Sequence, residues 1–132
     1  MKKILILLFL LAPLFANAQS WFTADAINVG VGSEVGEWYE CNVRVFANNN
    51  GDVKIYTSDN TVVFRRIGEN YTEDEDDNGM SMSWKCVDDE GQRCLISFKA
   101  YEGFLWLMIE YKEFTVVYNL IPDDWYYSRL QD

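Results

Sequence analysis

Histidine is absent from this sequence of 132 residues. Its absence removes the usual general base, the usual partner of a serine or cysteine nucleophile, and the commonest zinc ligand. The 3 cysteines form no C-x-x-C pair, and neither a glycine-rich phosphate loop nor a G-x-S-x-G sequence occurs. The lack of these residues predicts that the protein is not an enzyme.

Basic residues are also few, with 11 Lys and Arg against 21 Asp and Glu and a formal net charge of −10. Affinity for nucleic acid or for an anionic membrane surface requires clustered Lys and Arg, so both are poor partners. A basic partner or a cation fits better. The alternative is that the acidity only keeps the domain soluble.

The first part of the chain has the pattern of an export signal. Lys2 and Lys3 precede an apolar run over residues 4–15, and residues 16–18 (Ala-Asn-Ala) form a small-residue cleavage site. The run is short of the ~20 apolar residues that span a membrane. We therefore expect residues 1–18 to be a cleaved signal peptide and the mature protein to be periplasmic or extracellular.

Residues 19–132 are predicted to form a single β domain without a membrane span. Apolar and polar residues alternate in short runs between turn signals such as Asn50-Gly51, and no helical periodicity persists. About eight short strands with consecutive hairpin links predict a small antiparallel up-and-down barrel, lipocalin-like, with a two-sheet β-sandwich as the alternative. Residues 104–112, apolar on both faces, should be the most buried strand. Residues 123–132 are expected to be a short helix or a tail.

Residues 80–101 predict the central hairpin, with a three-residue loop at Asp89-Glu90-Gly91 in which glycine takes a positive φ. Folding about Glu90 places Cys86 opposite Cys94 on the apolar face. Paired strand residues lie within the Cα separation that a disulfide accepts, so an oxidising compartment predicts a Cys86–Cys94 bond. Cys41 is left over and is expected to be a small buried hydrophobe.

Residues 68–79 interrupt the strand pattern, and part of this segment resembles a calcium-binding loop. Residues 74–79 fit D-x-[DN]-x-[DN]-G, which makes Asp74, Asp76 and Asn78 candidate calcium ligands. The position that should hold a bidentate glutamate is Lys85. The alternative is a solvated loop that ends in a type I′ turn.

Aromatic residues make up 16% of the chain, and several fall on the face that alternation assigns to solvent. They either anchor a partner or pack under a second layer. We expect a partner surface in which Trp38 and Tyr56 supply anchors and an acidic segment steers a basic partner; that segment comprises Glu73, Asp74, Glu75, Asp76 and Asp77.

These features together predict an exported, non-enzymatic binding or interaction domain with an acidic, aromatic-containing surface for a protein or glycan in the cell envelope. One alternative is a carrier that holds a small apolar ligand inside the barrel, where Met80, Met82 and Met108 would line an adaptable cavity. Another is a structural domain that binds calcium weakly.

Overall fold

The computed structural model describes residues 20–32, 34, 36–48, 50–101 and 103–122. The predicted signal peptide and the predicted terminal helix or tail lie outside these residues. The described part of the chain forms the strands β1 Ser20–Val31, β2 Trp38–Ala47, β3 Val53–Tyr56, β4 Thr61–Arg66, β5 Thr72–Asp76, β6 Gly79–Val87, β7 Arg93–Tyr101, β8 Phe104–Glu110 and β9 Phe114–Pro122. Within the described residues there is no helix that is long and apolar enough to cross a membrane.

The strands form one antiparallel sheet in the order β4-β3-β2-β1-β9-β8-β7-β6-β5, and β4 also pairs with β6. This last pairing closes an eight-stranded barrel and leaves β5 as an additional strand beside it. The closure is short, because it joins Arg65 to Val87 and Arg66 to Cys86. The predicted up-and-down barrel is therefore confirmed, and the alternative sandwich is not adopted.

The inner faces of the strands fill the barrel. Phe98, Ile96 and Leu107 are completely buried. Trp84 stacks on Phe98 with ring centroids 5.7 Å apart, and its indole N–H donates a hydrogen bond of 2.7 Å to the carbonyl of Gly51. Burying an aliphatic or aromatic side chain of this size stabilises the fold by about 1.5–3 kcal/mol, so this interior is the main source of stability.

The central hairpin has the predicted register and loop. Cys86 pairs with Cys94, and the Gly91 amide donates to the Asp88 carbonyl at 3.1 Å. Gly91 has a φ of 81°, the conformation that glycine adopts without steric cost.

The predicted Cys86–Cys94 disulfide is not formed in this structure, where both residues are free cysteines. In an antiparallel hairpin, hydrogen-bonded and non-hydrogen-bonded residue pairs alternate. Asp88 and Gln92 form a hydrogen-bonded pair, so Cys86 and Cys94, two positions further from the loop, form one as well. The side chains of a hydrogen-bonded pair lie farther apart than those of a non-hydrogen-bonded pair. The Cys86 thiol is directed instead at the Gly51 carbonyl, 4.0 Å from its oxygen. Burial raises the pKa of Cys86 to about 12 and that of Cys94 to about 11.

The segment predicted as a solvated loop contains β5, which pairs with β6 from Thr72–Ser83 to Asp76–Gly79. The turn between them has two residues, and no non-glycine residue among those described has a positive φ, so the predicted type I′ turn is not formed. The Asp76 carboxylate stabilises the turn by accepting hydrogen bonds from the amides of Asn78 and Gly79 at 2.8 and 3.0 Å. An acidic sequence can therefore form a strand when its neighbour supplies the pairing.

Candidate binding pocket on the outer wall

The segment between β1 and β2 folds back over the outside of the barrel. The side chain of Asn28, which is only 2% exposed, donates to the Gly36 carbonyl at 2.9 Å and accepts from the Gly36 amide at 3.0 Å. A second anchor is the Gly32 amide, which donates to the Glu113 carbonyl at 3.0 Å. A buried amide with both of its polar atoms satisfied holds the segment in one position.

Two glycines permit this close packing. A Cβ on Gly30 would lie 2.1 Å from the Glu34 carbonyl oxygen, and a Cβ on Gly36 would lie 2.0 Å from the Val29 carbonyl oxygen. Both obstacles are backbone atoms, which cannot rotate away. The loop therefore lies against β1 only because glycine occupies both positions.

Beside this loop, a pocket of about 440 Å³ opens on the outer wall formed by β1, β9 and β8. Its volume falls within the range typical of small-molecule sites. The lining combines aromatic and aliphatic side chains with polar ones: Asn28, Gly30, Gly32, Glu34, Trp38, Trp106, Met108, Glu110, Thr115 and Val117.

An aromatic stripe leads away from the pocket along the outer wall. Trp38 contacts Trp106 with ring centroids 5.6 Å apart and planes at 46°. Phe104 stacks on Trp106 at 4.1 Å, and Tyr101 stacks on Phe104 at 5.6 Å. Phe104 and Met108 flank Trp106 on the outer face of β8, so Phe104 holds the indole from the side away from Met108 and the pocket.

The pocket has acidic edges. Glu34 and Glu110 contribute carboxylates, and no Lys or Arg is among the described residues that line it. A second aromatic cluster on the outer wall has the opposite character, because the Arg44 guanidinium lies 5.2 Å from the centre of the Trp21 ring. Trp21 in turn contacts Phe46 at 4.8 Å and Tyr56 at 5.6 Å.

The residues of the predicted partner surface are placed apart. Trp38, 43% exposed, lies at the pocket. Tyr56 is half-buried in the Trp21 cluster, so it packs within a second aromatic layer. The acidic residues 73–77 are exposed on β5 and its turn, and β5 follows β6 at the far end of the strand order from β2. Only Trp38 of this set takes part in the pocket.

The predicted calcium ligands do not converge in the structure. Asp74 and Asp76 lie on the extended strand β5, and one oxygen of Asp76 is occupied by the turn amides. No group of three acidic or thiol side chains arranged to hold a metal ion occurs in the described ranges. An extended strand spreads alternate side chains along its length, whereas the calcium motif requires a loop that curls around the ion.

Several pocket residues were not identified from the sequence. Met108 was expected to point into the barrel but lies on the outer wall, and Trp106 is half-buried beside it. The available signal was the apolar outer face of residues 104–110, which alternation alone cannot distinguish from a second buried face. Asn28 and Gly36 are 8 residues apart, and their pairing depends on the loop conformation.

Together these elements define a small up-and-down β-barrel with an acidic-edged aromatic pocket on its outer wall. Comparison with models of known protein families, with curated proteins and with solved structures finds no match for this chain.

Proposed function

We propose that this protein is an exported, non-enzymatic binding domain that holds a protein or glycan partner of the cell envelope at its outer-wall pocket. The observation that carries the proposal is the pocket itself, which two tryptophans and two carboxylates line beside a loop fixed by Asn28. Tryptophan is enriched at binding hot spots, where a rigid aromatic surface supplies much of the affinity.

The filled interior favours this function over an apolar-ligand carrier. Trp84 and Phe98 stack on each other inside the barrel, and Leu107 is completely buried beside them. Met80 and Met82 are parts of this core, and Met108 lies outside it. A partner that meets the outer wall requires no rearrangement of these side chains.

Binding by the mature chain to proteins and glycans of its own cell envelope tests the proposal. The double variant Trp38→Ala/Trp106→Ala should lose at least about tenfold in affinity for the captured partner, since each hot-spot tryptophan is worth ~2 kcal/mol or more. The matched control is Tyr39→Ala, which removes an aromatic ring that is 63% exposed and does not line the pocket. Equal affinity of the double variant and the control would refute the assignment of the pocket.

The salt dependence of the association rate distinguishes long-range electrostatic attraction from short-range contacts in the pocket. The acidic surface should accelerate association with a basic partner, and this acceleration should fall as salt rises from 50 to 500 mM because the Debye length shortens to a few ångströms. Salt-independent association would contradict electrostatic steering.

A further inference from the structure

We infer that the outer-wall pocket accepts the side chain of a lysine or arginine from a basic protein partner. This inference rests on the proposed binding function and specifies its ligand: an aliphatic stem that ends in a positive charge.

The shape of the pocket suits such a side chain. The two indoles meet at 46° with centroids 5.6 Å apart, so they form a corner and not a pair of parallel plates. A cation at this corner can approach the ring of Trp38, which is 43% exposed, within the ~6 Å of a ring centroid at which cations are attracted. Met108 and Val117 line the adjoining wall and can pack against the methylene stem.

The charge of the pocket agrees with its shape. Glu34 and Glu110 line the same pocket as the two tryptophans, and a chain with a net charge of −10 attracts cations from a distance. A carboxylate beside an aromatic face holds a cation by an ion pair while the ring covers its apolar side. The same carboxylates would be left without a charge partner by a neutral ligand.

The molecule itself shows that its aromatic rings receive cations. Arg44 lies 5.2 Å from the centre of Trp21, and Arg66 lies 5.9 Å from that of Tyr71 and 5.8 Å from that of Trp84. In the Trp21 cluster the guanidinium comes from the chain's own β2. At the pocket no Lys or Arg is among the described lining residues, although Lys99 pairs with Trp106 from the neighbouring strand β7, so we expect the cation that enters the pocket to come from a partner.

A sugar is the competing ligand, and the geometry favours it less. Sugar rings stack on broad, open aromatic faces, whereas Phe104 covers Trp106 at 4.1 Å and Trp38 is inclined to it. The corner therefore offers two partial faces that suit a compact charged group.

Titration of the mature protein with short capped peptides tests the inference. The probes are acetyl-Ala-Lys-Ala-amide, acetyl-Ala-Arg-Ala-amide, the norleucine analogue with the same stem and no charge, and chitotriose as a sugar. The readout is the set of indole N–H signals in a heteronuclear NMR spectrum, where the sequence has 5 tryptophans and Trp→Phe variants assign them. We expect the Trp38 and Trp106 signals to shift with the two charged peptides, and norleucine to bind at least about tenfold more weakly.

Charge variants provide the second arm. Glu34→Gln and Glu110→Gln should each weaken binding of the lysine peptide by about threefold to fivefold, the upper part of the range for solvent-exposed ion pairs. Glu73→Gln changes the net charge equally on exposed β5, away from the pocket, and should leave binding within about twofold. An equal loss of peptide affinity in all three variants would show that only the net charge of the protein matters, and would overturn the inference.

The remaining outcomes separate this inference from the proposed function. Shifts with chitotriose but not with the charged peptides would overturn the lysine or arginine assignment and leave a glycan-binding domain. If the double tryptophan variant loses the envelope partner but the parent protein does not respond to the charged peptides, the lysine or arginine assignment is overturned and the proposed binding function is kept. Concentration-dependent shifts without any added probe would identify a second copy of this chain as the occupant and would also overturn the inference.

Discussion

The inner and outer walls of the barrel are both apolar along β8, yet they are covered to different extents. Leu105, Leu107 and Ile109 point inward and are at most 3% exposed. On the outer wall, Trp106 and Met108 are half-buried beside the pocket. The strand thus contributes to the core with one face and to the wall of the pocket with the other.

The difference lies in what each face meets. The inner side chains of β8 contact those of strands across the barrel, which pack to high density from every direction. The outer side chains meet the loop between β1 and β2, the rings of Trp38 and Phe104, and the outward side chains of the neighbouring strands. A face covered on one side by a single loop forms a pocket, whereas a face enclosed by a closed sheet forms a core.

The largest expected effect of burial on the inner wall is on the reactivity of its thiols. Burial raises the pKa of Cys86 and Cys94 on the inner wall, which lowers their thiolate fraction at pH 8. We expect these two thiols to react with iodoacetamide at least on the order of a hundredfold more slowly in the native protein than in the unfolded one. Mass spectrometry of each labelled cysteine would measure the rates, with the labelled unfolded chain as the control. If only Cys41 reacts in the unfolded chain without a reducing agent, Cys86 and Cys94 are joined in a disulfide, contrary to this structure.

A truncation on each wall tests the difference in packing directly. Leu107→Ala should lower the free energy of unfolding by about 2–5 kcal/mol, because it leaves a cavity at a completely buried position. Met108→Ala, one residue further on the opposite face, should cost about 1 kcal/mol, because its side chain is only partly covered. Urea denaturation would measure both values. Similar losses would mean that the outer face is a core as well.

A change at Gly36 tests whether the loop creates the pocket. Gly36→Ala places a methyl group 2.0 Å from the Val29 carbonyl oxygen, so the loop must lift from β1. We expect a loss of about 1–3 kcal/mol in stability, as for other overpacked sites, together with weaker binding at Trp38 and Trp106. Glu37→Ala, an exposed position in the same segment, should change stability by less than about 0.5 kcal/mol. Unchanged binding by Gly36→Ala would show that the loop does not shape the pocket.

Much of the barrel could be predicted from the sequence because local rules determine it. The hairpin around Asp88–Gln92 follows from alternation and from the glycine at position 91, and both are visible in the sequence. Strand β5 was missed because its acidic residues have a low intrinsic strand preference, and pairing with β6 overrides that preference. The sequence pattern does not show that β1 begins at Ser20, because a register shift between Ala24 and Ala26 breaks the alternation.

The pocket could be predicted only in part, because it depends on contacts between distant residues. Trp38 was recognised as an outward aromatic, but its neighbour Trp106 is 68 positions away and meets it across two intervening strands. The bond between Asn28 and Gly36 depends on the path of a loop, which periodicity does not encode. A pocket that is lined by residues from several strands can be located only once the arrangement of the strands in the barrel is known.

The smallest expected effect concerns Asp88, which joins the hairpin loop to the end of β8. Partial burial raises the pKa of Asp88, but hydrogen bonds from the Gln92 amide, the Tyr111 hydroxyl and the Glu90 amide outweigh it and lower the pKa overall. A carboxyl group with a lowered pKa in the folded state stabilises the protein above its unfolded pKa of about 3.9, and this stabilisation is lost as the pH falls through the folded value.

Asp88→Asn should therefore lower the free energy of unfolding at pH 7 by less than about 1 kcal/mol, since solvent screens the partly exposed carboxylate. The difference between variant and parent should shrink as the pH falls below the unfolded pKa of about 3.9 toward the lower pKa of the folded state, because the parent carboxyl group then loses its charge. Tyr111→Phe removes only the donor at 2.8 Å and is the matched control for the hydrogen bond between the two turns. Urea denaturation from pH 3 to pH 7 measures the trend, and a difference that grows as the pH falls would contradict it. Tyr111 directly follows β8, the strand with one face on the inner wall and one on the outer wall. The loss of stability in Tyr111→Phe therefore measures how much the hydrogen bond to the hairpin loop stabilises the end of this strand.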